Sequence, residues 1–394
     1  MEIHEVKLGD VAAVKGGKRL PKGINLITKP NTHPYIRVRD LSGKRTLELD
    51  SSFEFVDDET QKTIARYIVN DGDIVLSIVG TIGLVAIVGK SLNEANLTEN
   101  CVKLTSLSGV DRDFLYYFLK SPYGQQEITR GTVGAVQAKL PIKNIQDITI
   151  PLPDELTQSK IAAVLSSLDT KIETNQKIND NLQQQALAIF QQELLRDGEV
   201  PEGWSNGSLL DIANYLNGLA MQKFRPADGE NGLPVLNIKE LRQGSCDASS
   251  ELCSPSIKPE YIVHDGDVIF SWSGSLLVDL WCGGTCGLNQ HLFKVTSEKY
   301  PKWFYYAWTA HHLARFVAIA ADKATTMGHI KREELAKAEV VIPDAASMER
   351  IGGILQPMYD LIISNRIENR KLAALRDTIL PQLMLGELDV GDLT

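Results

Sequence analysis

Two stretches of the sequence carry apolar residues at alternating steps of four and three, the spacing that aligns side chains along one face of a long helix. The first stretch contains Ile161, Leu165, Leu168, Ile172, Asn175, Asn179 and Leu182. The second contains Ile351, Leu355, Met358, Ile362, Asn365, Asn369 and Leu372. Both carry asparagines at equivalent places, where a polar residue lowers stability and fixes register and partner. We therefore predict an antiparallel coiled coil of two helices; the alternative is a single amphipathic helix packing only on its own domain.

The rest of the sequence repeats itself. Residues 67–77 read YIVNDGDIVLS and residues 261–271 read YIVHDGDVIFS, which agree at seven of eleven positions. From Leu140 to Pro153 the two copies keep a constant offset of 190 residues. We predict an α+β fold with a pseudo-two-fold internal repeat, in which two similar globular domains are joined by the two long helices. The expected segments are domain 1 (1–153), spacer helix 1 (154–198), domain 2 (199–343), and spacer helix 2 with a tail (344–394).

Within each domain, strand-like runs alternate with short helical ones. In the first copy, YIV and DIVLSIV flank the sequence Asn-Asp-Gly-Asp, which predicts a β-hairpin around that turn. LVAIVG and ITIPLP are further strand-like runs, and DRDFLYYFLKS is predicted to form a helix between them. Pro151 and Pro153 are expected to close the domain, since proline ends a strand and can open a helix.

The formal net charge of −9 excludes a protein that coats itself in nucleic acid, because phosphate binding needs a basic footprint. A local basic face remains compatible with DNA binding when partners supply the rest. The sequence has no apolar run long enough for a membrane span and no apolar signal core near its start, so we expect a cytoplasmic protein.

The cysteines favour a reducing compartment, since five of them do not form a disulfide framework. Four lie in one stretch that also holds two histidines: Cys246, Cys253, His264, Cys282, Cys286 and His291. A zinc site there is the less favoured alternative, because the spacing C-x3-C lacks a second close pair. We predict buried thiols and no metal site.

Two short motifs carry a resemblance to a known family. Ile-Pro-Leu-Pro at residues 150–153 precedes DELTQSKIAAVLSSLDTKIETNQ, and the second domain opens with Pro-Glu-Gly-Trp at residues 201–204. Together with the duplicated helix, this order resembles the DNA specificity subunits of type I restriction-modification systems over nearly the whole chain. The second copy departs from the pattern, since VVIPDAASMER stands where the first has TIPLPDELTQSK. That difference leaves the details of subunit docking open there.

The resemblance implies a non-catalytic subunit whose two domains each read one half of a bipartite, asymmetric site in double-stranded DNA. It also implies that the helices set the spacer length and dock two modification subunits, which methylate adenine, while restriction subunits join through the complex. About 30 helical residues would span about 45 Å, enough to hold two domains one DNA turn of about 34 Å apart. This chain would hold no cofactor itself; S-adenosylmethionine, ATP and Mg would belong to the partner subunits. The alternatives are a tandem-domain scaffold that binds other proteins, and the specificity module of a related defence system.

Motifs of a DNA-modifying enzyme are absent from the sequence. It contains no Asn/Asp-Pro-Pro-aromatic tetrapeptide, and GLVAIVGKS at residues 83–91 has five residues between its glycines where a P-loop has four. Asp71 and Asp73, repeated as Asp265 and Asp267, are predicted to form turns instead of an acid-base or metal site. We therefore predict that this chain has no catalytic residues.

The predicted DNA contacts are clusters of cations and amides, although any single one is equally well explained as a solvated surface residue. In residues 15–22 two glycines are expected to make a cationic loop flexible, and Arg37 and Arg39 are expected on one face of an extended strand, placed to contact guanine or phosphate. The candidates in domain 1 are Lys15, Lys18, Arg19, Lys22, Arg37, Arg39, Arg130, Gln137, Lys139 and Lys143. The candidates in domain 2 are Gln222, Lys223, Arg225, Asn237, Lys239, Ser271, Ser273, Lys323, His329 and Lys331.

Overall fold

The structure is a computed structural model that describes residues 3–134, 136–195, 200–322 and 329–393. It divides into two compact units whose boundaries lie inside the two long helices. Unit 1 comprises Met1–Lys171 and Leu372–Thr394, and unit 2 comprises Ile172–Lys371. Each unit therefore contains a globular part and a segment of both helices.

Ten strands and six α-helices begin among the described residues of unit 1. The strands are β1 (Ile3–Lys7), β2 (Ala13–Gly16), β3 (Pro34–Ile36), β4 (Thr46–Leu47), β5 (Glu54–Phe55), β6 (Ile74–Ser77), β7 (Val85–Val88), β8 (Asn96–Leu97), β9 (Cys101–Thr105) and β10 (Thr149–Pro153). The helices are α1 (Leu8–Val11), α2 (Asp58–Ile64), α3 (Arg112–Lys120), α4 (Pro122–Gly131), α5 (Ile142–Gln146) and α6 (Glu155–Leu194). Both lists match a mixed domain followed by one long helix.

The strands of unit 1 form three sheets. The central sheet has the order β2-β9-β6-β7-β4, and its strands are antiparallel except for the parallel pair β4 and β7. A small sheet has the order β5-β3-β8, with β3 and β8 parallel, and β1 pairs with β10. The apolar face of α3 covers the central sheet, and Phe114, Tyr117 and Phe118 are almost completely buried there. The aromatic residues of this helix therefore pack in the core of unit 1.

Unit 2 contains the second set of elements. The strands are β11 (Ser205–Ser208), β12 (Asn214–Asn217), β13 (Leu233–Leu236), β14 (Leu252–Cys253), β15 (Ile262–Val263), β16 (Val268–Ser271), β17 (Leu277–Leu280), β18 (Cys286–Leu288), β19 (Leu292–Thr296) and β20 (Glu339–Ile342). The helices are α7 (Leu209–Ile212), α8 (Ile238–Gln243), α9 (Lys302–His311), α10 (Leu313–Asp322), α11 (Arg332–Ala336) and α12 (Ala345–Leu385).

The sheets of unit 2 repeat the plan of unit 1. Its central sheet has the order β12-β19-β16-β17, its second sheet β14-β13-β18-β15, and β11 pairs with β20. The single parallel pair of the second sheet, β13 with β18, corresponds to β3 with β8. An α+β fold with an internal repeat is therefore confirmed. Four strands of the two central sheets have the same order, whereas β4 of unit 1 has no counterpart in the described central sheet of unit 2.

The hairpin predicted around Asn-Asp-Gly-Asp is wrong. Residue Ile68 before the turn forms a bridge with Asn96 of the small sheet, whereas β6 after the turn pairs with β7 and β9. The turn thus carries the chain from one sheet to another. Asp73 shapes it by accepting bonds from Asn70 N (2.9 Å) and from Lys103 Nζ (3.0 Å), which supports its assignment as a turn residue.

The long helices start at equivalent places. Asp154 accepts a bond from Thr157 N (3.1 Å) ahead of α6, and Asp344 accepts one from Ser347 N (2.7 Å) ahead of α12. These side chains satisfy N–H groups that the first helical turn leaves without partners. The helices have 40 and 41 residues, so each is about 60 Å long, longer than the sequence estimate.

Candidate nucleic-acid interface

Strand direction gathers several loops at one end of the central sheet of unit 1. β2 and β6 end there, whereas β7 and β9 begin there, and an isolated bridge between Val79 and Lys139 adds the loop that follows α4. We call these loops, residues 17–22, 78–84, 98–100, 132–134 and 136–139, the loop end of unit 1. The fold therefore brings together cations that are far apart in the sequence, among them Lys18 and Lys139.

The first loop begins with Gly17, and another part of the backbone lies too close to this position for any side chain. A Cβ on Gly17 would lie 2.1 Å from the carbonyl oxygen of Thr98. Gly17 N donates to Cys101 O (3.0 Å), which holds the loop against the start of β9. In unit 2 a Cβ on Gly218 would lie 2.2 Å from Asn289 O, so the same constraint recurs. The sequence interpretation of Gly17 as a source of flexibility is wrong, because the position is tightly packed.

Two cations of the first loop are available at the surface. Lys18 is exposed, and Arg19 is 81% exposed while its Nε lies 2.7 Å from Glu99 Oε1. Burial acts to raise the pKa of the Glu99 carboxyl, but the hydrogen bonds from Arg19, from its own backbone N–H and from Thr98, together with the charge of Arg19, lower it below its usual value. An exposed ion pair of this kind is weak. Arg19 can therefore exchange Glu99 for a phosphate at little cost.

Arg37 and Arg39 do not lie on an extended strand, so that prediction is wrong. β3 ends at Ile36, and residues Val38–Leu41 form a 3-10 helix because the Asp40 carboxylate accepts a bond from Arg37 N (2.7 Å). Both guanidinium groups nevertheless converge on Glu54: Arg37 bonds it directly and Arg39 Nη2 lies 3.0 Å away. Arg39 is 61% exposed and Arg37 only 20%, so Arg39 is the more accessible of the two candidates.

A shallow cleft joins this arginine pair to the first loop. Its volume is about 350 Å³, and its lining includes Arg19, Arg39, Tyr35 and Asn100. The Tyr35 hydroxyl donates to Lys18 O (2.8 Å) and so fixes the cleft wall. Charged and polar groups from three separate stretches of sequence thus face one depression.

The remaining candidates of unit 1 are exposed. Lys15 lies on β2, Lys22 in the loop after it, Gln137 in the loop after α4, Lys143 on α5 and Arg130 on α4. Arg130 pairs with Glu127 (2.7 Å), whereas Lys15, Lys22 and Lys143 have no ion-pair partner among the described residues.

The central sheet of unit 2 has an equivalent loop end. β12 and β16 end there, β17 and β19 begin there, and an isolated bridge joins Ser273 to His329. The loop end of unit 2 consists of residues 218–223, 272–276, 289–291 and 329–331. Gln222, Lys223 and Lys331 are exposed within it.

Three further candidates lie beside the second sheet. Arg225 is half-exposed and 3.4 Å from Glu251, and Asn237 immediately precedes α8, where its N–H donates to Glu240 (3.2 Å). Lys239 donates to Ser249 Oγ (2.8 Å) and lines a groove of about 480 Å³ with Arg242, Gln243 and Ser275. Sequence reasoning missed Arg242, although it follows Lys239 by one helical turn.

The predicted contact through Ser271 is wrong. Its side chain is completely buried, and its hydroxyl donates to the carbonyl oxygen of Ser275 (2.9 Å), which closes the turn between β16 and β17. Ser273 is also buried, with its hydroxyl 2.9 Å from His291 Nδ1. His329 is exposed, and Lys323 lies outside the described residues. The serines shape the loop end instead of forming its surface.

Within unit 2 the two helices run antiparallel, with asparagines between them. Asn175 Nδ2 donates to Asn369 Oδ1 (2.8 Å), and four residues later Asn365 Nδ2 donates to Asn179 Oδ1 (2.9 Å). Asn175 also donates to Glu368 (2.7 Å). The seam has a second role, since Ile351 and Leu355 at the start of α12 are buried in the globular core of unit 2. The two interpretations of the heptads, helix pairing and packing on a domain, are therefore both realised.

Within unit 1 the helices meet through apolar and charged side chains. Ile161 and Leu165 pack in the same cluster as Leu383. Deeper along the pair, Asp169 accepts a bond from Tyr117 OH (2.6 Å) and one from Arg376 Nη1 (2.5 Å). Burial and the bond to Asp169 raise the pKa of Tyr117 well above its usual range. None of the fourteen predicted seam residues is exposed: Ile161, Leu165, Leu168, Ile172, Asn175, Asn179, Leu182, Ile351, Leu355, Met358, Ile362, Asn365, Asn369 and Leu372.

In unit 2, α12 binds the end of the central sheet opposite to the loop end. Arg370 pairs with Asp265 (2.7 Å), which lies in the turn before β16, and its Nη1 donates to Cys282 O (2.6 Å). Arg366 donates to Asp279 (2.7 Å) and to Leu280 O (3.0 Å) at the end of β17. The loop end is thus left free of these helix contacts.

The histidine and cysteine cluster considered for zinc has no ligand set in the described part of the chain: no group of three or more His, Cys, Asp or Glu side chains there is arranged to hold a metal ion. Burial raises the pKa of Cys282 to about 11, and none of the five cysteines forms a disulfide bond. No helix among the described residues is long and apolar enough to cross a membrane.

Comparisons with known proteins agree with this geometry. The family model described as "Type I restriction modification DNA specificity domain" matches residues 2–184 and again residues 201–375. A type I restriction enzyme MjaIX specificity subunit of Methanocaldococcus jannaschii is 25% identical, over 98% of this chain and 94% of that protein. A putative MjaX specificity subunit of the same organism is 23% identical, over 91% and 88%. The solved S subunit of a type I restriction-modification system from M. genitalium has the same fold, with a TM-score of 0.59, 16% identity, and coverage of 97% of this chain and 96% of that one.

Proposed function

This chain belongs to the type I restriction-modification DNA specificity family, and we propose that its two units each read one half of a bipartite DNA site. The chain is a non-catalytic subunit with a DNA-specificity role. We assign recognition of the DNA bases to the two loop ends. The two half-sites are expected to differ in sequence, because the loops of the two units differ in sequence. The single observation that carries this assignment is the convergence of separate cationic loops at the same end of both central sheets.

Three features support the loop ends over other surfaces. Their cations are exposed, and the Arg19 pair with Glu99 is weak enough to open for phosphate. In unit 2 the opposite end of the sheet is occupied by Arg366 and Arg370 of α12. A cluster of basic residues at each loop end is also compatible with the net charge of −9, because the net charge describes the whole surface and not this part of it.

The helices are proposed to dock two modification subunits and, through the complex, the restriction subunits. The polar asparagine pairs support a fixed register between α6 and α12, which a defined spacer between half-sites requires. Cofactors for methylation and cleavage, namely S-adenosylmethionine, ATP and Mg, are assigned to those partners. The free thiols support the cytoplasmic location that the sequence predicts.

The test is to co-express the chain with its cognate modification subunit and to sequence methylated adenines in the host DNA. We expect one motif with two specified halves and a spacer of constant length. Methylation without a sequence motif would refute the proposal, and so would a single continuous motif without a spacer.

A matched pair of variants assigns the surface. Lys139→Ala, at the loop end of unit 1, should weaken binding of the assembled complex to a duplex with that motif. It should also reduce the salt dependence of binding by about one counterion. Lys90→Ala removes an exposed lysine beyond the opposite end of β7 and should change neither. Equal effects of both variants would contradict the assignment.

The alternative function, a scaffold that binds only proteins, makes a different prediction. If the chain binds only proteins, a substitution in it should leave the DNA affinity of the assembled complex unchanged. If the chain contacts phosphates, counterions are released on binding, and the affinity should fall as the salt concentration rises. A salt titration of complexes with wild-type chain and with Lys139→Ala therefore separates the two functions.

A further inference from the structure

Trp272 is a half-buried aromatic residue in the turn between β16 and β17, at the loop end of unit 2. Its Nε1 donates to Asn217 Oδ1 (2.9 Å), which anchors the indole to the end of β12. Its ring centroid lies 5.7 Å from that of Phe293, so one part of the indole is packed on the core. The half-exposed indole is thus held in place from two sides.

Two histidine rings lie beside this indole. The ring centroids of His291 and His329 are 6.2 Å and 6.3 Å from that of Trp272. His291 is itself oriented by Ser273, whose hydroxyl lies 2.9 Å from Nδ1. An apolar ring flanked by hydrogen-bonding rings is a surface suited to base edges, which present both methyl groups and acceptors in the major groove.

The described residues of unit 1 form no counterpart to this surface, although the backbone hydrogen bonding is the same there. Ile330 N donates to Trp272 O (3.1 Å), just as Leu140 N donates to Ile78 O (3.0 Å). Ile78 therefore occupies the place of Trp272, and it is only 5% exposed. The partner strand differs as well, since Lys139 stands where unit 2 has His329. The two loop ends are built for different kinds of contact.

We propose that Trp272 determines specificity in unit 2 by contact of its indole with base edges, whereas the equivalent place in unit 1 contributes a cation. This inference rests on the proposed function of the loop ends. A ring contact releases no counterion, because counterions leave only when a cation neutralises a phosphate. Loss of the ring contact should therefore lower the affinity without changing its salt dependence, whereas loss of a phosphate contact changes both.

The experiment compares Trp272→Ala and Trp272→Phe with Trp204→Phe, which removes a half-buried tryptophan outside the loop end. Each full-length variant is assembled with the modification subunit, and methylated adenines in host DNA are sequenced. Trp272→Ala should relax one or two positions in one half of the motif and leave the other half and the spacer unchanged. Affinity for the wild-type motif should fall about tenfold, as for a lost base contact, with an unchanged salt slope. Trp272→Phe should give a smaller effect of the same kind, and Trp204→Phe none.

Three results would overturn the inference: an unchanged motif in Trp272→Ala, a reduced salt slope, or equal relaxation of both halves. The urea midpoint of each variant is measured alongside, so that a folded Trp272→Phe with a wild-type motif and affinity also counts against it. A wild-type chain that yields no bipartite motif would refute the proposed function instead. Failure of the two proposals is therefore distinguishable.

Discussion

Asn179 and Asn365 form the most enclosed polar contact between the helices of unit 2, and they offer a test of what the pair does. Their side chains are 6% and 7% exposed, and Asn365 Nδ2 donates to Asn179 Oδ1 at 2.9 Å. We expect Asn179→Leu and Asn365→Leu to destabilise unit 2 when made singly, and to be close to neutral or stabilising when made together.

The magnitude follows from the burial of both amides. A single replacement leaves the other amide buried without its partner, at a cost of about 1 to 3 kcal/mol. The new leucine offsets part of this cost through its apolar area, so each single variant should lose about 1 kcal/mol. The double variant removes both polar groups, so the coupling free energy should be about 2 kcal/mol in the stabilising direction.

The assay is urea unfolding followed by tryptophan fluorescence. All five tryptophans, namely Trp204, Trp272, Trp281, Trp303 and Trp308, lie between residues 172 and 371, so the signal reports unit 2 alone. Asn181→Leu, at an exposed position of the same helix, is the control and should change stability little. Additive losses in the double variant would refute a direct contact between the two asparagines, and with it the antiparallel register of this segment.

Two further predictions concern other contacts of the helices. Adjacent glycines in α12 should respond oppositely to alanine: a Cβ on Gly352 lies 2.9 Å from Trp303 Nε1, whereas one on Gly353 meets nothing within 4 Å. Gly352→Ala should therefore lower the urea midpoint of unit 2, and Gly353→Ala should stabilise it by about 0.5 to 1 kcal/mol; equal shifts would contradict the packing. In unit 1 the pKa of Tyr117 is raised in the folded state by burial and by Asp169. Its contribution to stability is therefore complete below about pH 10, the usual value for tyrosine, and is lost as pH rises further. Tyr117→Phe should reduce this loss, as measured by circular dichroism during titration to alkaline pH.

Features that depend on local spacing could be predicted from the sequence. The heptads require only a count of three and four residues, and the seam side chains they name are buried or half-buried along α6 and α12. The repeat was equally accessible, because the turn at Asp71 and Asp73 recurs at Asp265 and Asp267. The hairpin failed because a turn sequence defines a reversal of the chain, but does not define which strands pair afterwards.

The candidate interface depended on contacts between distant residues and was predicted less well. Lys18 and Lys139 lie at the same end of one sheet only because β9 lies between β2 and β6, an order that periodicity does not reveal. Ser271 was predicted as a polar surface residue, yet its hydroxyl donates a hydrogen bond to Ser275 O within the turn. Trp272 had a usable signal, since an aromatic residue in the run Ser-Trp-Ser-Gly-Ser replaces the aliphatic Ile78 of the first copy.

The most direct test of the central claim is a chain in which residues 205–342 are replaced by a second copy of residues 3–152, with both helices left intact. If the two units read the halves of an inverted pair, this chain carries two identical readers. Sequencing of methylated adenines should then give a palindromic motif, with the half-site of unit 1 repeated in inverted orientation. A motif that keeps the original unit 2 half, in a complex that still methylates DNA, would contradict the account.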